Sequence, residues 1–424
     1  VIGMISSLFL YSIMSKIIPF KAVRPVRDKV HLVATRPYYS YKKNVLKAKL
    51  EDNPFTFLHI INPEFGAAKK TKPNSPERFK HVKDRYQEFL KEGILKQDDH
   101  NHLYIYKQTK EGHEFTGIVC GASIDEYNKD LIKKHEATLT SREQMFTTYL
   151  DIVGFNAEPV LLSYPHNNEI DSLLSEYTSS RPEYEFTTTD RIKHELWVLS
   201  EEQTKKIQGS FEKIEALYIA DGHHRSASSA GLKKMRETNN NGGFPNEDYF
   251  LAYLIDEEKM KILEFNRLIK GLNGLSENEF LNRLEESFTV HSLDGQSKPK
   301  HQHQFTMCLS GKWYSLDCKN SIIDQDHAVR SLDPEILTQY VLSPILSIHD
   351  LKTDERIEFS SGVESLESIE EKISKNKFDI AFVLYPVTMD QVKKVADQNL
   401  IMPPKSTWVE PKLRSGLTIY NINE

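Results

Sequence analysis

The chain reads as an α/β (α+β) protein: a core built on a mixed sheet, followed by a second, C-terminal α/β region. Three observations predict this class. Ala216-Leu217-Tyr218-Ile219-Ala220 is a short apolar run bounded by charge, the pattern of a buried strand, and it runs straight into a polar motif and then a helical stretch. Leu103-Tyr104-Ile105-Tyr106 and Phe115-Thr116-Gly117-Ile118-Val119 are consecutive strand-like runs joined by the polar turn Lys110-Glu111-Gly112. A second such pair, Phe305 to Leu309 and Lys312 to Leu316, follows a polar segment and turns at Ser310-Gly311.

The remaining elements follow in order. Ser75 is placed to cap a helix from Pro76 to Glu92, with proline at the first helical position and Gly93 at the stop. Phe79, Val82, Tyr86, Phe89 and Leu90 share one face of it, and the hairpin is expected to pack beside it. Pro159 to Tyr164 and Leu196 to Leu199 read as strands, Ser226 to Thr238 as a helix, and Tyr249 to Ile255 as a returning strand. Asn239 to Pro245 is a loop. Ile380 to Tyr385 is one more buried strand.

A length of 424 residues implies two or three domains. The expected division is an N-terminal extension at 1–15, a core at 16–293 and a C-terminal α/β region at 304–424. The polar stretch Asp294 to His303 is read as the linker, with His301 and His303 solvated rather than metal-bound. Ile5 to Ile13 is apolar but too short to span a bilayer, with no basic residue before it, so Met14 is the expected start. Three cysteines without CxxC spacing argue against a disulfide framework or structural zinc and favour the cytoplasm. Acidic residues outnumber basic ones by 61 to 55, which disfavours a general nucleic-acid binder.

Asp221-Gly222-His223-His224-Arg225 carries the strongest chemical signal. A strand that ends here and opens a helix presents unsatisfied backbone amides and the positive end of the helix dipole to an anion. Gly222 permits a tight turn and close ligand approach. Asp221 can cap the helix, hold a metal or accept a proton, and His223 and His224 can donate to phosphate or move protons. Arg225 offers a planar fork to phosphate or carboxylate. The plain alternative is a capped helix whose histidines fill a polar corner.

Two further clusters are weaker. His135-Glu136, followed by Thr138, Thr140, Ser141 and Arg142, can supply a base and phosphate donors, or can be an ordinary helix start. Met402 to Gly416 contains Lys405-Ser406-Thr407 behind two prolines, either a rigid loop or a cationic contribution to an anion site. The glycines of a phosphate-binding P-loop are missing there. The aromatic residues of Thr35-Arg36-Pro37-Tyr38-Tyr39 and Asn53 to His59 are expected in a core, with His59 structural. The dinucleotide fingerprint, Walker A loop, HExxH motif and GxSxG elbow are all absent from the sequence.

Pro19 to Pro25, Asn53 to Pro63, Glu126-Tyr127 through His135-Glu136, Ile219 to Arg225 and Met402 to Gly416 resemble successive blocks of one bacterial family, the domain of unknown function 1015. One departure stands out. Where that family commonly reads Ser-Pro-Pro-Tyr-Asp, this chain has Thr35-Arg36-Pro37-Tyr38-Tyr39, so the acidic position is lost. The family's histidine motif is similar to that of the ParB/sulfiredoxin-like superfamily, which includes kinases acting on free L-serine. The resemblance therefore implies a ParB/sulfiredoxin-like core and phosphoryl transfer from ATP or ADP, with Mg²⁺, to the serine hydroxyl.

In that reading Glu136, Asp221 and His223 are catalytic, with Asp221 also the metal ligand. Gly222, His224, Arg225, Lys405, Ser406 and Thr407 bind phosphate or nucleotide, and His135, Thr138 and Arg142 bind substrate. The expected partners are a nucleotide and a small hydroxyl amino acid, with no membrane and no nucleic acid, and a homodimer left open. The alternative is a ParB-like regulator that binds nucleotide and DNA without turnover. The basic cluster on the helix after the motif, Lys233-Lys234-Met235-Arg236, is small for a recognition helix.

Overall fold

The computed structural model describes residues 15–424. The expected start at Met14 and the apolar run before it lie outside those residues. The chain divides into two units. Of the described residues, the first comprises 15–133, Thr138–Lys259 and Lys412–Glu424, and the second Lys134–Ala137 and Met260–Pro411. This differs from the expected division. Asp294 to His303 is a loop inside the second unit, because the strands on either side of it, Phe288–Leu293 and Gln304–Leu309, both pair with Lys312–Cys318.

The first unit is organised by a nine-stranded mixed sheet. Its order is Ile132–Lys133, Leu217–Asp221, Val160–Tyr164, Tyr249–Asp256, His113–Ser123, Tyr104–Lys110, Lys193–Val198 and Tyr184–Thr187, with Ile17–Ile18 added to His113–Ser123. The predicted hairpin forms, and its turn residues Glu111 and Gly112 both take positive φ, as a two-residue hairpin turn requires. Ile105, Ile118, Leu162, Ile219 and Leu254 join Ile170, Leu174, Ile207 and Phe211 of two helices in one continuous core.

The helix Pro76–Lys91 starts as its sequence implies, with Ser75 Oγ accepting from the Arg78 amide at 3.3 Å. Its apolar face does not pack beside the hairpin. It meets the helix Thr140–Val153 and the strand after it instead, with Phe79 against Tyr149 at 5.1 Å and Tyr86 against Phe155 at 4.3 Å. The aromatic residues near the N-terminus divide. Phe57 is buried, whereas Tyr38 and Tyr39 are 46% and 66% exposed, so those two are not core residues. His59 is structural as expected, 3.1 Å from the Asn53 carbonyl.

The helix His223–Asn239 starts three residues earlier than its apolar pattern suggests, which puts both motif histidines and Arg225 in its first turn. Its buried face is made of small residues, Ser226, Ser228 and Ser229, before Leu232. Small side chains let it approach Thr140–Val153 closely. A Cβ added at Gly231 would lie 2.7 Å from Thr147 Oγ1, whose hydroxyl donates to the Ser228 carbonyl at 3.3 Å.

The second unit holds a six-stranded antiparallel sheet in the order Phe288–Leu293, Lys312–Cys318, Gln304–Leu309, Ile380–Val383, Phe265–Ile269, Ile357–Ser361. Phe305, Met307, Leu316 and Phe382 form the core on one face. Leu268, Cys308, Ala381 and Val383 pack with Ile369 and Ile373 of the helix Leu366–Ser374 on the other. His303 is not solvated as expected: its Nδ1 lies 3.0 Å from the buried carboxylate of Asp333. No helix of the described residues is long and apolar enough to cross a membrane.

The close helix approach in the first unit has a measurable consequence. Gly231→Val overpacks it and is expected to destabilise the protein by about 1–3 kcal/mol, seen as a lower urea midpoint. An unchanged midpoint would contradict the approach.

Candidate functional site

Three local features build the site at the end of Leu217–Asp221. The strand pairs antiparallel with Val160–Tyr164, and the register slips between Ile219 and Asp221. A bulge there re-aims the following side chain. Gly222 then takes φ +108°, the left-handed region, and a Cβ at that position would lie 3.0 Å from the Arg225 guanidinium. The helix begins at once, with the Arg225 and Ser226 amides donating to the Gly222 carbonyl at 2.8 and 3.1 Å.

Asp221 does not cap this helix, whose cap position is Gly222, a residue with no side chain. Its carboxylate turns to two cations instead. Oδ2 accepts from the Lys412 ammonium at 3.1 Å, and Oδ1 lies 3.7 Å from the Arg225 guanidinium. Burial pushes the Asp221 pKa up, but Lys412 and Arg225 outweigh it and hold the carboxyl below its ordinary value. Arg225 also donates to the Pro159 carbonyl. Burial opposes its charge, and Asp221, then Glu158 and Tyr39, sustain it.

The first turn is braced from within. The hydroxyls of Ser226, Ser228 and Ser229 donate to the carbonyls of His223, His224 and Arg225 at 3.1, 2.6 and 3.0 Å. His223 is buried and His224 half-buried in that turn.

Lys412 reaches Asp221 because the C-terminal segment is fastened on both sides of Ser415. Thr35 and Ser415 exchange backbone hydrogen bonds of 3.1 and 2.8 Å, and Ser415 Oγ donates to Glu158 at 2.6 Å. Arg414 is buried. Its Nη2 donates to both Asp190 oxygens at 2.8 Å and to Thr188 Oγ1 at 2.9 Å, while Nε lies 3.2 Å from His194 Nε2. His194 Nδ1 lies 2.8 Å from the Tyr106 hydroxyl. Burial, then the Arg414 charge, push His194 down to about 3, so it is neutral at physiological pH.

The first unit thus gathers Asp221, Gly222, His223, His224 and Arg225 as a contiguous group. Thr138 and Arg142 belong to the same unit. The Thr138 hydroxyl donates to Glu143, and Arg142 is exposed in the first turn of Thr140–Val153. His135 and Glu136 belong to the second unit, where the buried His135 receives the Met402 amide on its carbonyl at 2.8 Å and Glu136 is exposed. Lys405, Ser406 and Thr407 also lie in the second unit. Lys405 has φ +59° and holds its ammonium 5.2 Å from the centre of the Phe265 ring, and Ser406 Oγ donates to the Pro403 carbonyl at 2.7 Å.

Sequence reasoning missed Lys412, Glu158 and Tyr39 as members of the group. Tyr39 is close enough to Arg225 to help sustain its charge. The signal for Lys412 was its place in the Met402 to Gly416 block.

Two measurements check this electrostatic frame. Lys412→Met is expected to raise the Asp221 pKa, followed by carbon-13 NMR of the carboxyl; an unmoved pKa would break the assigned pair. His194 is neutral when folded but takes a proton near pH 6.5 when unfolded. Its contribution is therefore complete above about pH 6.5 and is lost as pH falls toward 3, with a slope of up to ~1.4 kcal/mol per pH unit. Urea unfolding at several pH values should give His194→Gln a shallower acid limb than wild type, whereas matching limbs would contradict burial of the neutral ring.

No curated protein matches this chain. Among solved structures, a free serine kinase in complex with AMP aligns with 14% identity and a TM-score of 0.36, covering 71% of this chain and 91% of that one. SbnI with C-terminal truncation from Staphylococcus aureus aligns with 10% identity and a TM-score of 0.35, covering 69% and 82%. A conserved hypothetical protein from Pyrococcus furiosus gives 14% and 0.32, covering 72% and 94%. The family model described as Protein of unknown function (DUF1015) matches residues 17–335. That match spans most of the sequence, from the first strand through the Asp-Gly-His-His-Arg motif into the second unit, and the chain belongs to this family.

Proposed function

We propose that the protein is a small-molecule kinase that transfers a nucleotide phosphoryl group, from ATP or ADP, to the hydroxyl of free L-serine to give O-phosphoserine. The observation that carries the proposal is the helix start at Gly222. Its cap position is a glycine in the left-handed region, it follows a bulged strand, and Arg225 and Lys412 stand beside it. Helix amides and two cations form the kind of group that holds phosphate oxygens. Phosphoryl transfer is mostly positioning and charge neutralisation, so such a frame suits it. Serine as the acceptor rests on the family resemblance of the motif blocks.

The electrostatics separate the two carboxylates. Asp221 is held below its ordinary pKa by Lys412 and Arg225, which makes it a weak proton acceptor and a better metal ligand or positioning group. Glu136 is the proposed base that takes the hydroxyl proton. His223, His224 and Arg225 are assigned to the phosphates. His135, Thr138 and Arg142 are assigned to the amino acid.

Magnesium is the ion this reading implies. A single carboxylate fits it, because Mg²⁺ commonly binds one or two carboxylates and takes its other ligands from water and phosphate. Asp221 would hold it, and the bound ion would neutralise charge on the phosphoryl group.

The regulator reading loses its basic cluster. Lys233 is paired with Asp125 and Asp248, both at 2.9 Å, and the buried Arg236 with Asp151 and Glu247. Two of its three cations are thereby committed within the first unit.

Incubation with L-serine, magnesium and either ATP or ADP, followed by mass detection of O-phosphoserine, tests the proposal. Product should form with at least one donor, and Glu136→Gln should lower the rate by about 10²–10⁴-fold. A folded protein that binds nucleotide yet makes no O-phosphoserine with either donor would overturn serine as the acceptor.

A further inference from the structure

The first unit carries a second cluster of ligating side chains outside the motif. Val160–Tyr164 and Tyr249–Asp256 are neighbouring parallel strands, and Asp256 is in register with Tyr164 at their shared C-terminal end. The chain leaves the first strand through Pro165-His166 and the second through Glu257-Glu258. This brings His166, Asp256 and Glu258 together, with one ligand atom of each within 4.8 Å of the others.

The local bonding is that of an oriented ligand set. His166 Nδ1 lies 2.7 Å from Asp256 Oδ2 and 3.8 Å from Glu258 Oε2. On the other side of the ring, Nε2 lies 3.2 Å from Asn168 Oδ1. An amide oxygen accepts only, so Nε2 carries the proton and Nδ1 is the nitrogen turned to the carboxylates. At 2.7 Å, Nδ1 and Asp256 Oδ2 are joined by a ring proton, and a metal ion would take that proton's place.

Asp256 is the fixed member of the group. Its side chain is 2% exposed, and Oδ1 accepts from the Glu258 amide at 2.9 Å. His166 and Glu258 are exposed. Metal–nitrogen and metal–oxygen bonds of about 2.0–2.2 Å put ligand atoms roughly 3–3.5 Å apart in a tetrahedral site. The imidazole need withdraw only slightly, and the Glu258 carboxylate need advance only slightly, to reach that spacing. The neighbouring Lys259 ammonium is turned to Asp171.

We infer that His166, Asp256 and Glu258 form a binding site for a divalent transition metal ion such as zinc, oriented by Asn168. One imidazole and two carboxylates suit zinc, cobalt(II) or nickel(II) better than magnesium, which prefers oxygen ligands alone. The Asn168 contact is the outer hydrogen bond that metal-binding histidines usually make through their second nitrogen. The site stands apart from the phosphate-binding proposal and does not depend on it.

Tag-free full-length protein, stripped with chelator, is titrated with Co²⁺ and followed by visible absorption, then with Zn²⁺ by calorimetry. One equivalent should bind, with ligand-field bands of a low-coordinate cobalt site. His166→Ala and Glu258→Gln should each weaken binding at least tenfold, while Asn168→Ala should weaken it less. His113→Ala, outside the cluster, should leave it unchanged. Wild type without cobalt bands, or a folded His166→Ala that binds Zn²⁺ as wild type does, would overturn the site and leave a His–Asp ion pair.

Discussion

The contact between the Lys412 ammonium and the Asp221 carboxylate, 3.1 Å long, connects two chain segments 191 residues apart. The arrangement at the motif depends on it. Without Lys412, Asp221 would face one guanidinium while partly withdrawn from water, and the burial effect that raises its pKa would gain weight. The contact is held indirectly. Lys412 is an exposed type of side chain with many rotamers, and what places it is the backbone on either side of Ser415. Arg414 supplies the anchor, because a buried guanidinium bonded to both Asp190 oxygens has few alternative positions. His194 completes that network only as the neutral ring, so the anchor and the pH response share one origin.

The helix start obeys a related economy. Four helices of the first unit are closed by a side chain, those that start after Ser75, Ser123, Asn167 and Ser200. The helix at His223 has no such cap, although an aspartate precedes it by two positions. Asp221 is drawn away by Lys412 and Arg225, and the bulge before it sets that direction. A glycine-capped helix terminus flanked by cations is well suited to an anion. The serine hydroxyls bonded back to the His223, His224 and Arg225 carbonyls steady the turn that carries the charged residues.

Much of this was legible in the sequence. The apolar run ending at Ala220, the capped helix at Pro76, both hairpins and the Asp-Gly-His-His-Arg motif all rest on local periodicity or turn chemistry, which sequence records directly. What escaped was long-range. The helix at Pro76 has an obvious apolar face, but nothing local says that its partner is Thr140–Val153 rather than the hairpin. The boundary at Asp294 to His303 looked like a linker because a polar loop between two strands of one sheet has the same composition. Tyr38 and Tyr39 are aromatic yet exposed. Lys412 and Glu158 gave no signal of their own, since a lone lysine or glutamate acquires meaning only from its neighbours in space.

Nucleotide binding shows whether the fastened C-terminal segment completes a helix start that holds phosphate. Calorimetric titration of ADP into wild type and Lys412→Met compares the two with the motif itself intact. The variant is expected to stay folded and to bind ADP at least tenfold more weakly. Equal affinity in the two proteins would contradict it, and Lys412 would then be a structural partner of Asp221 alone.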